Sequence, residues 1–369
     1  MLKHPLSGAA HAASQYLISA AFIFVLLISG AHAQVVLTDG GNSITVPKEK
    51  MHVYVFIGHS NMVGRGSTPD SCRDFFFIAH PRCWNFHIQD NYSGPPHHEW
   101  IPATEPVHRD QRNFETPDKK PVGGGMGMAV VREMASRYPN HYFGIIQNAD
   151  GGTSVGDYAY NRSTGSGANF LDQVVDAINA AKGTATIAGI IAELANPTST
   201  MDGVNNFIRD IQLIADKIRQ QTGLPDTPFL VSQFRKGYYR DSHGDYAVNL
   251  NYTNQLVIEI ENLPNLVEYC AVIPTDFSMD RDKYMHDHSH YNLLGMIKFG
   301  KNAADVIVQN SWAPATITDT HPPLIPSGLQ SGTITPMSIT LQWNASSDND
   351  AVKEYLVFLD NTLVARPAA

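Results

Sequence analysis

From residue 52 to residue 309 the chain repeats one alternation: a short unbroken apolar run, then an amphipathic stretch with a period of three to four residues. HVYVFI (52–57) is an unbroken apolar and aromatic run after His52, the mark of a strand buried on both faces. MGMAVVREMASRYP (126–139) predicts a helix, with Pro139 beyond its end. YFGIIQ (142–147) predicts a second strand, and NFLDQVVDAINAAKG (169–183) a helix closed by Gly183. TIAGIIAEL (186–194) predicts a third strand. VNNFIRDIQLIADKIRQQTG places Val204, Phe207, Ile208, Ile211, Ile214 and Ile218 on one face of a helix and ends at Gly223. PFLVSQF (228–234), a helix around 247–262, a short strand at CAVI and a last helix over NLLGMIKFGKNAADVIVQ complete the series. Strands alternating with helices predict an α/β fold on a parallel sheet. Such a sheet binds ligands beyond the carboxyl ends of its strands, and Ser60 follows the end of the first.

Three segments break the alternation. The Gly-, Pro- and His-rich section from roughly 64 to 123 is too long for a plain connection and is expected to be an insertion carrying binding loops. Its Trp84, Tyr92 and Trp100 fit either stacking on sugar rings or anchoring the loops. Beyond residue 311 the chain reads as a linker, placed at 312–326 and marked by the Pro-rich start of THPPLIPSGLQ (320–330). Residues 327–369 then alternate apolar and polar positions, with Ile339, Leu341 and Trp343 pointing one way, and resemble the opening half of a fibronectin type III module. At the other end, Lys3 and His4 precede the apolar LISAAFIFVLLI (17–28), and Ala31 and Ala33 have the spacing a signal peptidase reads. Residues 1–33 are therefore expected to be a secretory signal, and the rest a secreted protein with no membrane partner. The apolar run is short for a membrane span, which takes about 20 residues.

The formal net charge of -9 excludes the basic surface that a nucleic-acid or anionic-membrane partner requires. The cysteines are Cys72, Cys83 and Cys270. The absence of a CxxC pair argues against a cysteine zinc site; the favoured arrangement is a Cys72–Cys83 loop staple with Cys270 a buried thiol, and pairing of either with Cys270 is the alternative.

The chemistry centres on VFIGHSNMVGRG (55–66), where a buried strand stops at Gly58 and His59, Ser60 and Asn61 follow. A serine on a tight strand-to-helix turn is exposed beside free backbone N–H groups, which suits a nucleophile whose attack creates an oxyanion. A plain helix cap fits the same residues. A nucleophilic serine needs a base, and the base an orienting group. YMHDHSHYNLLGM supplies His290 before the last helix and Asp287 three residues earlier, a spacing that lets the carboxylate reach Nδ1 on a turn. The alternating His286, His288 and His290 also admit a metal reading, but no second ligand group is evident.

GHSNMVGRG resembles the GQSNM-x-G-x-G block of the carbohydrate esterases related to sialate O-acetylesterase and acetylxylan esterase family six, within the SGNH hydrolase superfamily. DHSH is similar to that superfamily's D-x-x-H block, NADGGTSVGDY to its GGTSI-x-x-W block, and PVGGGMGMAVVREM to the Gly/Pro-rich stretch before its second helix. The resemblance covers about residues 50 to 310. It implies a flavodoxin-like three-layer α/β/α sandwich, with Ser60 as nucleophile, His290 as base and Asp287 as orienter. The oxyanion hole would be formed by the N–H of Ser60 and the Gly151–Gly152 turn, with His59, Asn61 and Thr153 against the substrate. The substrate would be an acetylated polysaccharide or oligosaccharide of the acetylxylan or sialate type; no metal or organic cofactor is expected.

The sequence departs from the family in three places. His59 stands where the family has Gln, and a neutral His can still donate from one nitrogen. Tyr158 stands near the family's Trp. The block W-H-Q-G-E-S after the third strand reads AELANP, so that Leu194, Ala195 and Asn196 replace Gln, Gly and Glu. Asn196 then fits a side-chain oxyanion donor or a turn residue before Pro197. This altered block supports a second reading, a carbohydrate-binding protein on an impaired esterase fold.

Overall fold

A computed structural model describes residues 33–65, 76, 78–88, 98–105, 107, 124–163, 169–194, 200–234, 250–287, 289–315, 325–335, 338–344, 346, 355, 357–359 and 362–365. The expected signal segment, Cys72, Tyr92, Asn196 and His288 lie outside them. Among the described residues no helix is long and apolar enough to cross a membrane.

The chain enters through a hairpin of β1 (Gln34–Asp39) and β2 (Asn42–Pro47). Its two-residue turn is Gly40–Gly41, both at positive φ (54° and 88°), the conformation that matches the strand twist and that glycine adopts without strain. Seven strands then form the central sheet: β3 (Met51–Gly58), β4 (Cys83–Phe86), β5 (Trp100–Pro102), β6 (Tyr142–Ala149), β7 (Thr186–Glu193), β8 (Phe229–Ser232) and β9 (Cys270–Ile273). Their order is β5-β4-β6-β3-β7-β8-β9, with β5 antiparallel to β4 and every other pairing parallel. The run β6-β3-β7-β8-β9 is the flavodoxin-like 2-1-3-4-5 order, so the strand order reverses between β3 and β7 while the strands stay parallel.

The helices are α1 (Ser60–Val63), α2 (Met126–Arg137), α3 (Val155–Ala159), α4 (Phe170–Ala181), α5 (Met201–Thr222), α6 (Leu250–Glu261), α7 (Arg281–Tyr284) and α8 (Leu293–Gln309). Side chains on a strand alternate between faces, and β3 shows it: Val53, Val55 and Ile57 join the core under α4, α5 and α6, while Tyr54 and Phe56 join the core under α2 and α8. The sheet is thus the middle of three layers, as the strand–helix alternation and the resemblance imply. On α5, Val204, Phe207, Ile211, Ile214 and Ile218 are buried, and Gly223 closes the helix in the left-handed conformation. α4 ends differently from expectation: Lys182, still right-handed, is its C-cap, and Gly183 lies beyond.

The section from 64 to 123 is not only loops. Two of its pieces are β4 and β5, which extend the sheet past β6. Trp84 is only 4% exposed, and Trp100 packs on Gly144 and on the Phe86 ring at 4.8 Å. Both tryptophans are therefore packing anchors of the sheet edge. A short strand bounded by glycine and proline gives a weak periodic signal, which explains why the alternation was not visible here. The expected Cys72–Cys83 staple is absent: Cys83 is a free buried thiol on β4, and Cys270 is a second on β9.

At the C-terminal end, β10 (Ser327–Thr335) pairs with β11 (Ser338–Asn344), and β12 (Val357–Leu359) with β13 (Thr362–Ala365), each pair antiparallel. Trp343 meets the Tyr355 ring edge-on at 5.3 Å, while Ile339 and Leu341 are exposed. Among the described residues this segment forms two separate hairpins.

Candidate active site

The site lies at the carboxyl ends of β3, β6 and β7, beside the switch point. β3 and β7 approach so closely that a Cβ on Gly58 would stand 2.7 Å from the Glu193 carbonyl and 2.9 Å from the Met62 side chain. The close approach lets the His59 N–H donate to the Glu193 carbonyl at 3.3 Å. The chain then turns into α1, which begins at Ser60 and lasts only four residues. Gly64, left-handed at φ 86°, ends it by donating to the Ser60 and Asn61 carbonyls. A helix this short has little summed dipole, so the resource it offers is local: the first N–H groups of a helix have no intrahelical acceptor. Ser60 is half-buried at this corner.

On the other side of the sheet's carboxyl edge, the residues before α8 form a tight loop. Met285 and Tyr291 make an antiparallel bridge, and the His286 N–H donates to the His290 carbonyl at 2.8 Å. Inside it, Asp287 Oδ2 lies 2.8 Å from His290 Nδ1. The other carboxylate oxygen accepts from the N–H groups of Ser289 (2.6 Å) and His290 (2.7 Å). Burial alone would raise the Asp287 carboxyl, but the hydrogen bonds from the His290 ring and the two N–H groups outweigh it and hold it down at about 2. Asp287 therefore stays ionised at neutral pH and accepts from Nδ1–H, which leaves His290 Nε2 as the basic nitrogen. Asn292 then caps α8, accepting from the Gly295 N–H at 3.0 Å.

The two corners are joined by Asn61, which is 3% exposed. Its Oδ1 accepts from the Tyr291 N–H at 3.0 Å. Its Nδ2 donates to the Ser289 carbonyl at 3.2 Å and to Glu193 Oε1 at 3.3 Å. Glu193, at the end of β7 and 8% exposed, also pairs through Oε2 with His59 Nδ1 at 3.0 Å.

The turn after β6 closes the site from a third side. The Asp150 N–H donates to the Gly58 carbonyl at 3.2 Å. The Thr153 hydroxyl lies 2.7 Å from the Asp150 carbonyl and 3.1 Å from that of Gly58. The Tyr158 phenol donates to the Asn148 carbonyl at 2.6 Å and receives the Gly58 N–H at 3.3 Å, and burial pushes this phenol well above its usual range. Gly151 is buried against Arg65, since a Cβ there would stand 2.2 Å from the guanidinium. Gly152 is exposed.

The structure thus brings Ser60, His59, Asn61, Gly151, Gly152, Thr153, Asp287 and His290 to one edge of the sheet. Asn61 and Thr153, expected against substrate, are instead buried and spend their polar atoms on the protein: Thr153 ties the Gly58 and Asp150 carbonyls together, and Asn61 ties the loop before α8 to the Glu193 carboxylate. Glu193 is the residue that sequence reasoning missed. It lies in the altered block, one position before the three residues compared with the family. Its signal is a carboxylate that closes an apolar strand beside the switch point, a place where burial demands a partner.

Residues 50–309 match the family described as carbohydrate esterase, sialic acid-specific acetylesterase. Among solved structures, NanS is similar with a TM-score of 0.51 at 14% identity, over 71% of this chain and 97% of that one. A protein of Arabidopsis thaliana is similar with a TM-score of 0.50 at 17% identity, over 70% of this chain and 98% of that one. Both are likenesses of fold. Chitinase Chi52 of Paenibacillus xylanexedens is 50% identical over 46 residues, 12% of this chain and 9% of that protein. The chain spans less than a tenth of the length of the curated relatives it matches.

Proposed function

The chain belongs to the sialic acid-specific acetylesterase family of carbohydrate esterases, and from that premise we propose that it is a secreted serine esterase that removes O-acetyl groups from carbohydrate. Ser60 is the nucleophile, His290 the general base and Asp287 the group that orients the imidazole. The observation that carries the reading is the Asp287–His290 contact at 2.8 Å on a loop whose backbone is bound by Asn61, the residue after Ser60.

His290 Nε2 takes the proton of the Ser60 hydroxyl as the oxygen attacks the acetyl carbonyl. The carbonyl oxygen of the tetrahedral intermediate carries the charge, and the Ser60 N–H and the Gly151–Gly152 turn donate to it. The intermediate collapses with the proton passing from His290 to the departing sugar hydroxyl, leaving acetyl-Ser60. Water, deprotonated by His290, then attacks this ester and releases acetate, and the proton returns to Ser60. Asp287 stays ionised throughout and stabilises the imidazolium. Asn196 is assigned as a further, side-chain donor to the oxyanion.

The substrate class is an acetylated polysaccharide or oligosaccharide, of the acetylxylan or sialate type. Three features support export and a polysaccharide setting: the leader-like residues 1–33, the fibronectin type III-like pattern of 327–369, and the short stretch shared with a chitinase. The test is acetate release from an aryl acetate, acetylated xylan and an O-acetylated sialic acid. Ser60→Ala and His290→Ala are each expected to lose more than about 99% of the rate with the circular dichroism unchanged. Wild-type rates in either variant remove the triad.

A further inference from the structure

We infer that Asn61 is a positioning residue that sets His290 on the nucleophile, with Glu193 as its anchor; the inference rests on the esterase reading above. The Asp287–His290 pair is local. The hydrogen bonds of the Asp287 carboxylate come from Ser289 and His290, so the loop orders the imidazole but does not by itself say where the imidazole stands. That position is set by the peptide groups on either side of His290. The Ser289 carbonyl and the Tyr291 N–H both bind the one amide of Asn61, much as a neighbouring strand would bracket a residue in a parallel ladder. Because Asn61 directly follows Ser60, nucleophile and base are held by adjacent residues across 230 positions of sequence.

The amide orientation follows from the partners. A backbone N–H can only donate, so Oδ1 faces Tyr291; a carbonyl and a carboxylate can only accept, so Nδ2 faces Ser289 and Glu193. Both N–H donors of the amide and one lone pair of its oxygen are thereby used. Glu193 fixes the amide from behind with Oε1 and is itself held by His59 through Oε2. The carboxylate that closes β7 is thus linked through one side chain to the peptide groups around the base.

This arrangement can be inverted with nearly isosteric changes. Asn61→Asp keeps the acceptor for the Tyr291 N–H but turns a carboxylate oxygen toward Glu193 and the Ser289 carbonyl. On an aryl acetate, kcat is expected to fall on the order of a hundredfold at neutral pH, the size of effect a misplaced catalytic group produces, with KM little changed. Lowering the pH should raise the rate of Asn61→Asp relative to the wild type, as a proton is taken up between the two facing carboxylates. Adding Glu193→Gln to Asn61→Asp should also restore rate, since the new amide can donate to the aspartate and accept from His59. A loss of packing alone would respond to neither manipulation. Wild-type kcat in Asn61→Asp, with Ser60→Ala inactive, overturns the clamp and leaves the esterase standing. So does a loss, in a variant with an unchanged melting temperature, that neither acid nor Glu193→Gln relieves. Ser60→Ala with the wild-type rate removes the esterase reading, and the inference with it. If Asn61→Asp shows no cooperative melt, Asn61→Ser replaces it: lower kcat at constant KM supports the clamp and unchanged kcat overturns it.

Discussion

Two imidazole–carboxylate pairs meet at the residues flanking Ser60, and they are built in opposite ways. Asp287–His290 is a pair three residues apart on one loop, its carboxylate partly open to solvent and bound by two N–H groups of the same loop. His59–Glu193 joins the ends of two strands, with both side chains largely covered and a hydrogen bond running from His59 N–H to the Glu193 carbonyl beside the side-chain pair. The first pair draws its carboxylate bonds from its own loop. The second exists only because β3 and β7 are neighbours. A general base must exchange protons with substrate and then with water, and the loop pair, less enclosed, suits that work. The strand-end pair suits holding a frame. In the proposed triad the chemistry would sit on the loop and its register on the sheet, which would separate the proton-transferring group from the frame that holds it.

The comparison breaks first at Asp287. Asp287→Asn presents an amide N–H to His290 Nδ1, which forces the proton onto Nε2, the nitrogen needed as base. The expected loss in kcat is on the order of a thousandfold or more, with the melting temperature close to wild type. An Asp287→Asn enzyme with wild-type kcat on an aryl acetate would transfer the role of base to His59 and Glu193. The strand ends are tested next. Gly58→Ala drives a methyl group to 2.7 Å from the Glu193 carbonyl and 2.9 Å from the Met62 side chain. Relieving that overlap is expected to cost about 1–3 kcal/mol and to lower kcat, because the movement reaches Ser60 through His59. Gly183→Ala, where a Cβ meets nothing within 4 Å, is the matched control. Denaturant melts and kinetics on the same samples decide it; a Gly58→Ala protein as stable and active as the control would show that the frame yields.

The smallest effect is on acid stability. The Asp287 carboxyl is held from its ordinary 3.8 down to about 2, so the folded state binds its proton less readily than the unfolded chain. The stabilisation is fully present above about pH 4 and is lost as pH falls through about 2. Wild type and Asp287→Asn should therefore differ in melting temperature by an amount that is constant above pH 4 and shrinks below it. A difference that does not change with pH would mean that the carboxylate contributes shape and no charge. The partial exposure of the pair limits the size of the effect.

The altered block after the third strand teaches how far motif comparison reaches. Read along the sequence, AELANP appears as a loss, with Leu194, Ala195 and Asn196 in place of Gln, Gly and Glu. In the structure Leu194 is core, and the carboxylate of the block is Glu193, one residue earlier, already engaged with His59 and Asn61. A gapless comparison matches positions, whereas a buried carboxylate is defined by its partners. The tryptophans make the same point from the other side. Trp84 and Trp100 in a Gly/Pro-rich section look like sugar-stacking loops, yet they belong to strands, because an edge strand of three or four residues is stabilised by its neighbour's ladder more than by its own pattern.

What the sequence determined by itself is whatever physics keeps local. Continuous apolar runs marked the buried parallel strands, and the period of α5 marked its buried face down to Gly223. The spacing of Asp287 and His290 marked a pair that a single turn can close. The tertiary structure alone decided the contacts between distant residues. The sheet order sets Gly58 against Glu193, and Asn61 then reaches Glu193 across 132 positions and Tyr291 across 230. No local preference encodes such a pairing. It follows from which strands become neighbours, and that choice is made by burying both faces of the sheet at once.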